Sequence, residues 1–254
     1  MTATKVDRPE GRLRRGMSVL PSLFTMGNIF LGFFALVEGL QGRFDRAALM
    51  IFAAAILDAL DGALARLTGS ESAFGREFDS LADVLTFCSA PALLTYLWGL
   101  RDLDRIGWLV PFFFVVCGAT RLARFNIQTR IVDSRYFAGL PTPAAAGTVA
   151  AILLFDPEAT WRPWVEIGVL VVLFVVGSLM ISTFRYRSIK QLNLRRRQSY
   201  RIAVPLAAVL VLVLYKPKPV LVTLAIAYTA SGPLAWTWGR LRRSPSRSTE
   251  SLES

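Results

Sequence analysis

The sequence contains no histidine in its 254 residues. This single absence removes Ser-His-Asp triads, Cys-His pairs and histidine-ligated zinc. Acid–base chemistry is left to carboxylates, lysine, tyrosine or water. Cysteine is nearly absent. Cys88 and Cys117 both sit in apolar runs, without the spacing of a disulfide framework or a metal site, and read as inert buried thiols. Charge is scarce as well: 19% of residues are charged against 54% hydrophobic, where a soluble domain carries about one quarter charged. With a mean hydropathy of +0.46, this balance argues against a soluble enzyme, a disordered chain and a fibrous one. Acidic residues are the scarcer sign, 18 against 29 basic, for a formal charge of +11. No short-period repeat is present, and no polar segment is long enough to form a soluble domain.

What the chain has instead is long apolar stretches. A membrane-spanning helix needs about 20 mostly apolar residues. Eight stretches qualify, near 19–40, 44–66, 78–99, 106–127, 140–155, 164–185, 201–215 and 218–238. The fold expected is all-α: a polytopic transmembrane helix bundle of about eight spans. The fifth stretch is short and Ala-rich, with Pro141 and Pro143 shaping its start. The first is too long for a cleaved leader and is followed by further spans. With the N-terminus placed in the cytoplasm, 22 of the 29 basic residues fall on inside segments and 7 outside. That asymmetry puts both termini inside. It also accounts for the positive charge without nucleic acid; the Arg195–Arg197 run and the basic tail read as contacts with anionic membrane lipids. Three regions follow: a basic cytoplasmic segment 1–18, a transmembrane catalytic domain 19–239, and a polar cytoplasmic tail 240–254 expected to be disordered. Tryptophans 98, 108, 161, 164, 236 and 238 fall near span ends and read as interface anchors.

Carboxylates inside spans are costly and mark function by default. The second span ends ILDALDGALARL and the third begins FGREFDSLADVL. Asp58 and Asp61 share one helical face, and Asp79 and Asp83 share another. An antiparallel pair joined by a loop of about 11 residues lets all four converge, with Asp58 roughly 12 Å from the end of its span at 1.5 Å per residue. Four bare carboxylates there must protonate or bind cations. Oxygen-only ligands favour hard Mg²⁺, Mn²⁺ or Ca²⁺, and two such ions suit phosphoryl chemistry. Gly62 and Ala65 leave room for a bulky ligand, Arg66 can neutralise phosphate, and Gly75 lets the loop fold tightly. The bland alternative pairs these aspartates with Arg66 and Arg76 at the headgroup boundary, but it explains one aspartate better than four at matched spacing.

Asp58-x2-Asp61-Gly62-x2-Ala65-Arg66-x8-Gly75-x3-Asp79-x3-Asp83 resembles the full signature of the CDP-alcohol phosphatidyltransferase family, with eight positions filled over 26 residues. The resemblance implies an intramembrane enzyme that moves a phosphatidyl-type group from a CDP-lipid to an alcohol and releases CMP. It further implies that Asp58, Asp61, Asp79 and Asp83 bind two divalent ions, Mg²⁺ or Mn²⁺, with Asp83 also the general base. Gly62, Ala65, Arg66 and Gly75 would line the CDP-lipid site. The stretches PSLFTMGNIFLGFFAL, GATRLARFNIQTR and YFAGLPTPAAAG resemble the integral-membrane branch whose acceptor is L-serine. Donor and acceptor would then be CDP-diacylglycerol and L-serine.

Serine carries a carboxylate, which an arginine fork suits. Arg121 and Arg124 lie three apart at the end of the fourth span, with Asn126 adding polar capacity, and all three are candidate serine-binding residues. Ordinary positive-inside anchoring is the bland reading for each arginine. Asn28 is a polar intrusion in the first span that reads either as a nucleotide contact or as a helix–helix hydrogen bond. The acceptor stays open to glycerol 3-phosphate, inositol or choline, and an ether-linked lipid would give archaetidylserine. A cation transporter using the Asp cluster is the competing class, disfavoured because residues 140–254 hold no second Asp cluster. The setting expected is a prokaryotic cytoplasmic membrane, with the active site facing the cytoplasm and the chain working as a homodimer.

Overall fold

The structure, a computed structural model, describes residues 10–68, 72–128, 137–158, 163–186, 208, 211–213 and 215–241. Helix α1 (Glu10–Leu40) turns back at Gly42, which holds φ +74, into α2 (Phe44–Thr68). The buried Glu38 carboxylate accepts from Arg43 Nη2 at 2.8 Å and pins this hairpin. Only residues 69–72 separate α2 from α3 (Ala73–Asp83). The expected loop of about 11 residues is therefore too long. Ser72 caps the new helix by accepting from the Gly75 N–H at 2.9 Å, so α3 starts in polar sequence that hydropathy alone leaves to the loop.

The third span continues from α3 through a π-helical segment (Val84–Ser89), a short helix α4 (Ala90–Thr95) and a second π-helical segment (Tyr96–Leu100). Pro91 explains the slip between α3 and α4. It has no N–H to offer the preceding turn, and its ring crowds the carbonyl four residues back. The Ala90 N–H bonds instead to the Leu85 carbonyl. Helix α5 (Asp104–Gln128) carries Pro111 within it, and α6 (Thr142–Phe155) follows with proline in its first turn. Helix α7 (Pro163–Ile181) stops four residues short of the expected span end, because Arg185–Tyr186 pairs antiparallel with Phe137–Ala138. This two-residue pairing is the strand content of the described residues. Gly139, at φ +85, lets the backbone pass the Met180 carbonyl where no side chain fits. The Tyr186 ring is buried beneath it, and its hydroxyl donates to the Thr229 carbonyl of α8 (Pro217–Leu241) at 3.2 Å. Burial and the neighbouring Tyr228 push that phenol up to about 12, so it stays protonated.

Among the described residues, five helices are long and apolar enough to cross a bilayer: Leu23–Leu40, Phe44–Ala65, Ala73–Leu100, Asp104–Ile127 and Trp164–Ile181. The chain is a membrane protein. Thr142–Phe155 is apolar but shorter. Ten of the fifteen residues of the expected seventh span, 201–215, lie outside the described residues, and the eighth coincides with α8, which is not among the five. Helix α1 packs along α2, α2 on α6, α6 on α8, and α5 on α7. Helix α6 is central, with all but four of its 14 residues buried. Its alanines and glycine permit the close backbone approach that drives association in lipid. Outward faces are apolar too, as a lipid solvent allows: Leu23, Met26, Phe30 and Phe33 form an exposed stripe along α1.

The tryptophans divide. Trp108 and Trp164 are exposed, as interface anchors are. Trp98 is not an anchor. It is 3% exposed, and its Nε1 donates at 2.7 Å to the Asp156 carbonyl just past the end of α6. Position near a span end cannot distinguish a lipid-facing indole from one that satisfies a neighbouring helix terminus. Trp161 and the side chains of Trp236 and Trp238 lie outside the described residues.

Candidate active site

One end of the bundle gathers the middle of α1, the C-terminal turns of α2 and α5, the second half of α3 and the start of α6. Asp58, Asp79 and Asp83 meet there. Each offers a carboxylate oxygen, and the three oxygens lie within 4.8 Å of one another. Asp79 and Asp83 are one turn apart on α3, so a single helix face presents both, and the short α2–α3 connection brings Asp58 opposite them. Asp58 and Asp79 are half-buried and Asp83 is buried. Three close carboxylates in a partly dry site repel one another unless a cation lies between them. All-oxygen donors suit a hard divalent ion, and the donor set fits one.

Asp61 is not within this group of three. It is buried and faces α1, where its Oδ2 accepts from Thr25 Oγ1 at 3.0 Å, while its Oδ1 has no hydrogen-bond partner. Asn28, one turn beyond Thr25, is 1% exposed. Its Nδ2 donates to Asp83 Oδ1 at 3.4 Å, and its backbone carbonyl accepts from Thr86 Oγ1 at 3.1 Å. Helix α1 therefore holds two of the four signature carboxylates. This close approach is possible because Gly32 lies against Thr86: a Cβ there would come within 2.9 Å of the Thr86 Cα.

Gly62 and Ala65 are half-buried on α2. The Arg66 side chain lies outside the described residues. Gly75 contributes its N–H to the α3 cap and is kept small by Ser72, whose Oγ lies 3.0 Å from where a Cβ would stand.

The three candidate serine-binding residues separate. Arg121 is buried on α5, 9% exposed. Its Nη1 donates to Thr142 Oγ1 at 3.2 Å, its guanidinium lies 6.0 Å from the Phe125 ring centre, and its Nε has no partner. Asp83 and Asp58 are both close enough to act on its charge. Arg124 is half-buried on α5. Asn126 turns to α3, donating to Ser80 Oγ at 2.9 Å and to Glu77 Oε2 at 3.3 Å, so it braces α5 against α3.

Sequence reasoning missed Thr25, Thr86 and Thr142, which hold Asp61, Asn28 and Arg121. The signal for Thr25 was present: it sits three residues before Asn28 in an apolar run, on the same helical face. Nothing in the sequence pairs Thr86 or Thr142 with its partner, since both contacts cross between distant helices.

The chain belongs to the CDP-alcohol phosphatidyltransferase family, whose sequence profile matches residues 18–175. It is a membrane transferase of phospholipid biosynthesis. Among its relatives is the CDP-diacylglycerol–serine O-phosphatidyltransferase of Helicobacter pylori strain J99, 37% identical over 219 residues that cover 86% of this chain and 91% of that one. The protein of the same name from Bacillus subtilis is 34% identical over 180 residues, 69% of this chain and 93% of that one. The archaetidylserine synthase of Methanothermobacter thermautotrophicus is 35% identical over 169 residues, 66% of this chain and 69% of that one.

Proposed function

We propose that the enzyme transfers the phosphatidyl group of CDP-diacylglycerol to the hydroxyl of L-serine, giving phosphatidylserine and CMP. The observation that carries this reading is the convergence of Asp58, Asp79 and Asp83 within electrostatic reach of buried Arg121, whose Nε has no partner. The names of relatives that span most of the chain support serine as the acceptor. The archaeal relative keeps serine and points to an ether lipid, so the lipid half of the donor is the more open term.

Asp58, Asp79 and Asp83 would hold the divalent ions. Asp61 would join them through its unpartnered Oδ1, since a buried carboxylate oxygen without a donor is stabilised by a nearby cation. When bound, such ions neutralise charge on the phosphate oxygens of the nucleotide-lipid. The residues of the chain do the rest. Gly62 and Ala65 leave space for the CDP moiety along α2, Gly75 lines it from the first turn of α3, and Arg66 neutralises phosphate charge. Asp83 takes the proton of the serine hydroxyl. The serine oxygen bonds to the phosphorus next to diacylglycerol, the bond from that phosphorus to the CMP oxygen breaks, and CMP leaves with the electron pair. Arg121 faces the serine carboxylate. Arg124 serves the same anion from farther out, and Asn126 positions α5 through α3.

The topology proposed is eight spans with both termini in the cytoplasm and the carboxylates at the inner leaflet of a prokaryotic cytoplasmic membrane, with the chain assembled as a homodimer. CDP-diacylglycerol then enters sideways from lipid and serine from water. The test is CMP release by purified protein from CDP-diacylglycerol with a panel of alcohols. L-serine should release CMP and yield phosphatidylserine in equal amount. Turnover with glycerol 3-phosphate, inositol or choline and none with serine would overturn the acceptor while leaving the carboxylate chemistry in place.

A further inference from the structure

Among the described residues, three buried side-chain polar atoms have no hydrogen-bond partner: Asn28 Oδ1, Asp61 Oδ1 and Arg121 Nε. Orphans of this kind are rare in folded proteins, and each calls for an explanation. All three border the carboxylate site. Asp61 Oδ1 is an anionic oxygen on α2, one helical turn from Asp58, and is used by the reading above. The remaining two are a neutral acceptor on α1 and a cationic donor on α5.

The amide orientation of Asn28 follows from chemistry. A carboxylate accepts hydrogen bonds and donates none, so the atom facing Asp83 must be the amide nitrogen. The carbonyl oxygen, on the other branch of the same amide, is then the atom left without a partner. Asn28 cannot easily turn to serve it, because its backbone is held by Thr86 and its side chain is 1% exposed. Arg121 is likewise fixed by Thr142, and its charge lies within electrostatic reach of Asp83 and Asp58. An acceptor on a residue bonded to Asp83 and a cationic donor within electrostatic reach of Asp83 thus accompany the carboxylate that takes the hydroxyl proton. The ligand complementary to that trio carries a hydroxyl, an ammonium and a carboxylate.

We propose that Asn28 reads the amino group of the acceptor: its Oδ1 accepts a hydrogen bond from the ammonium of a 2-amino-3-hydroxy acid whose hydroxyl faces Asp83 and whose carboxylate faces Arg121. This rests on the serine reading and deepens it, moving Asn28 from the nucleotide to the amino acid. In such an acid the hydroxyl and the amino group sit on adjacent carbons. A substrate that delivers its hydroxyl to Asp83 Oδ2 therefore brings its ammonium beside the residue bonded to Asp83 Oδ1. The bond is between a charged donor and a neutral acceptor, so its loss reads as about 10- to 150-fold.

The experiment compares full-length wild type with Asn28→Ala, using L-serine, 3-hydroxypropionate, which lacks the amino group, and ethanolamine, which lacks the carboxylate. In wild type, kcat/KM should favour L-serine strongly over both. In Asn28→Ala the preference for L-serine over 3-hydroxypropionate should fall about 10- to 150-fold. Any loss from a less well-held Asp83 cancels in that ratio, because both alcohols use the same base. KM for CDP-diacylglycerol and Mn²⁺ binding followed by electron paramagnetic resonance should stay near wild-type values. An unchanged ratio in an enzyme that uses serine overturns this proposal alone, as does a variant whose main defect is in Mn²⁺ or CDP-diacylglycerol binding. A wild type that uses glycerol 3-phosphate and not L-serine overturns the serine reading together with this one. If the variant fails to fold, competition on wild type decides the matter. L-alanine, which has both charged groups and no nucleophile, should compete with serine at least tenfold better than propionate or ethylamine, and equal inhibition by propionate overturns the proposal.

Discussion

Replacing Gly32 with alanine drives a wedge between α1 and the third span. The added Cβ would stand 2.9 Å from the Thr86 Cα, where ordinary contact begins near 3.4 Å, so the helices must separate by about 0.5 Å. Because the obstruction includes backbone, trimming the Thr86 side chain does not remove it. Asn28 is one turn away on the same face of α1, and its bond to Asp83 is already long at 3.4 Å. The added separation takes it beyond hydrogen-bond range. A hydrogen bond to a charged group contributes about 1.5–3 kcal/mol, and a bond this long belongs at the lower end. If it acts in the transition state, kcat falls about tenfold. Overpacking costs about 1–3 kcal/mol of stability, offset in part by the gain of roughly 1 kcal/mol from replacing helical Gly with Ala. The folded fraction should therefore change little while turnover drops. Steady-state CMP release paired with thermal unfolding in detergent reads both quantities. Adding Thr86→Ala should not restore the rate. Wild-type kcat in a well-folded Gly32→Ala protein would refute the claim that α1 positions the base.

Two further outcomes follow from the same geometry. Arg121→Lys keeps the charge but loses the planar fork, so the apparent KM for serine should rise about 10- to 150-fold with KM for CDP-diacylglycerol nearly unmoved; equal rises in both would place Arg121 on the phosphates instead. Cysteine-accessibility labelling, on a background without Cys88 and Cys117, should find position 70 reactive from the cytoplasmic side and position 103 from the outside, and the reverse pattern would invert the proposed topology.

The carboxylate signature was legible in the sequence because its spacing is local. Asp79 and Asp83 are one helical turn apart, and nothing distant is needed to align them. Asp61 stood out in the sequence as a carboxylate within a span but not as the partner of Thr25, since that contact spans 36 residues and two helices. The same holds for Arg121. Its residue type suggested an anion, but its burial and its separation from Arg124 come from how α5 rests on α6. Hydropathy located the apolar cores of the first four spans yet misplaced polar helix ends, such as the start of α3, because capping by Ser72 does not depend on apolar content. It also counted Trp98 by position, when its burial depends on where α6 ends. The Tyr186 pairing, two residues long, carries no periodicity that a sequence could display.

The central claim is that carboxylates from α2 and α3 hold divalent ions that make phosphatidyl transfer possible. It is tested most directly by CMP release from CDP-diacylglycerol and L-serine with thoroughly chelated protein, for wild type and for Asp79→Asn. The account predicts no turnover in chelated wild type, recovery on adding Mg²⁺ or Mn²⁺, and no recovery in a folded, membrane-inserted Asp79→Asn protein. Full activity in the metal-free wild type would contradict it.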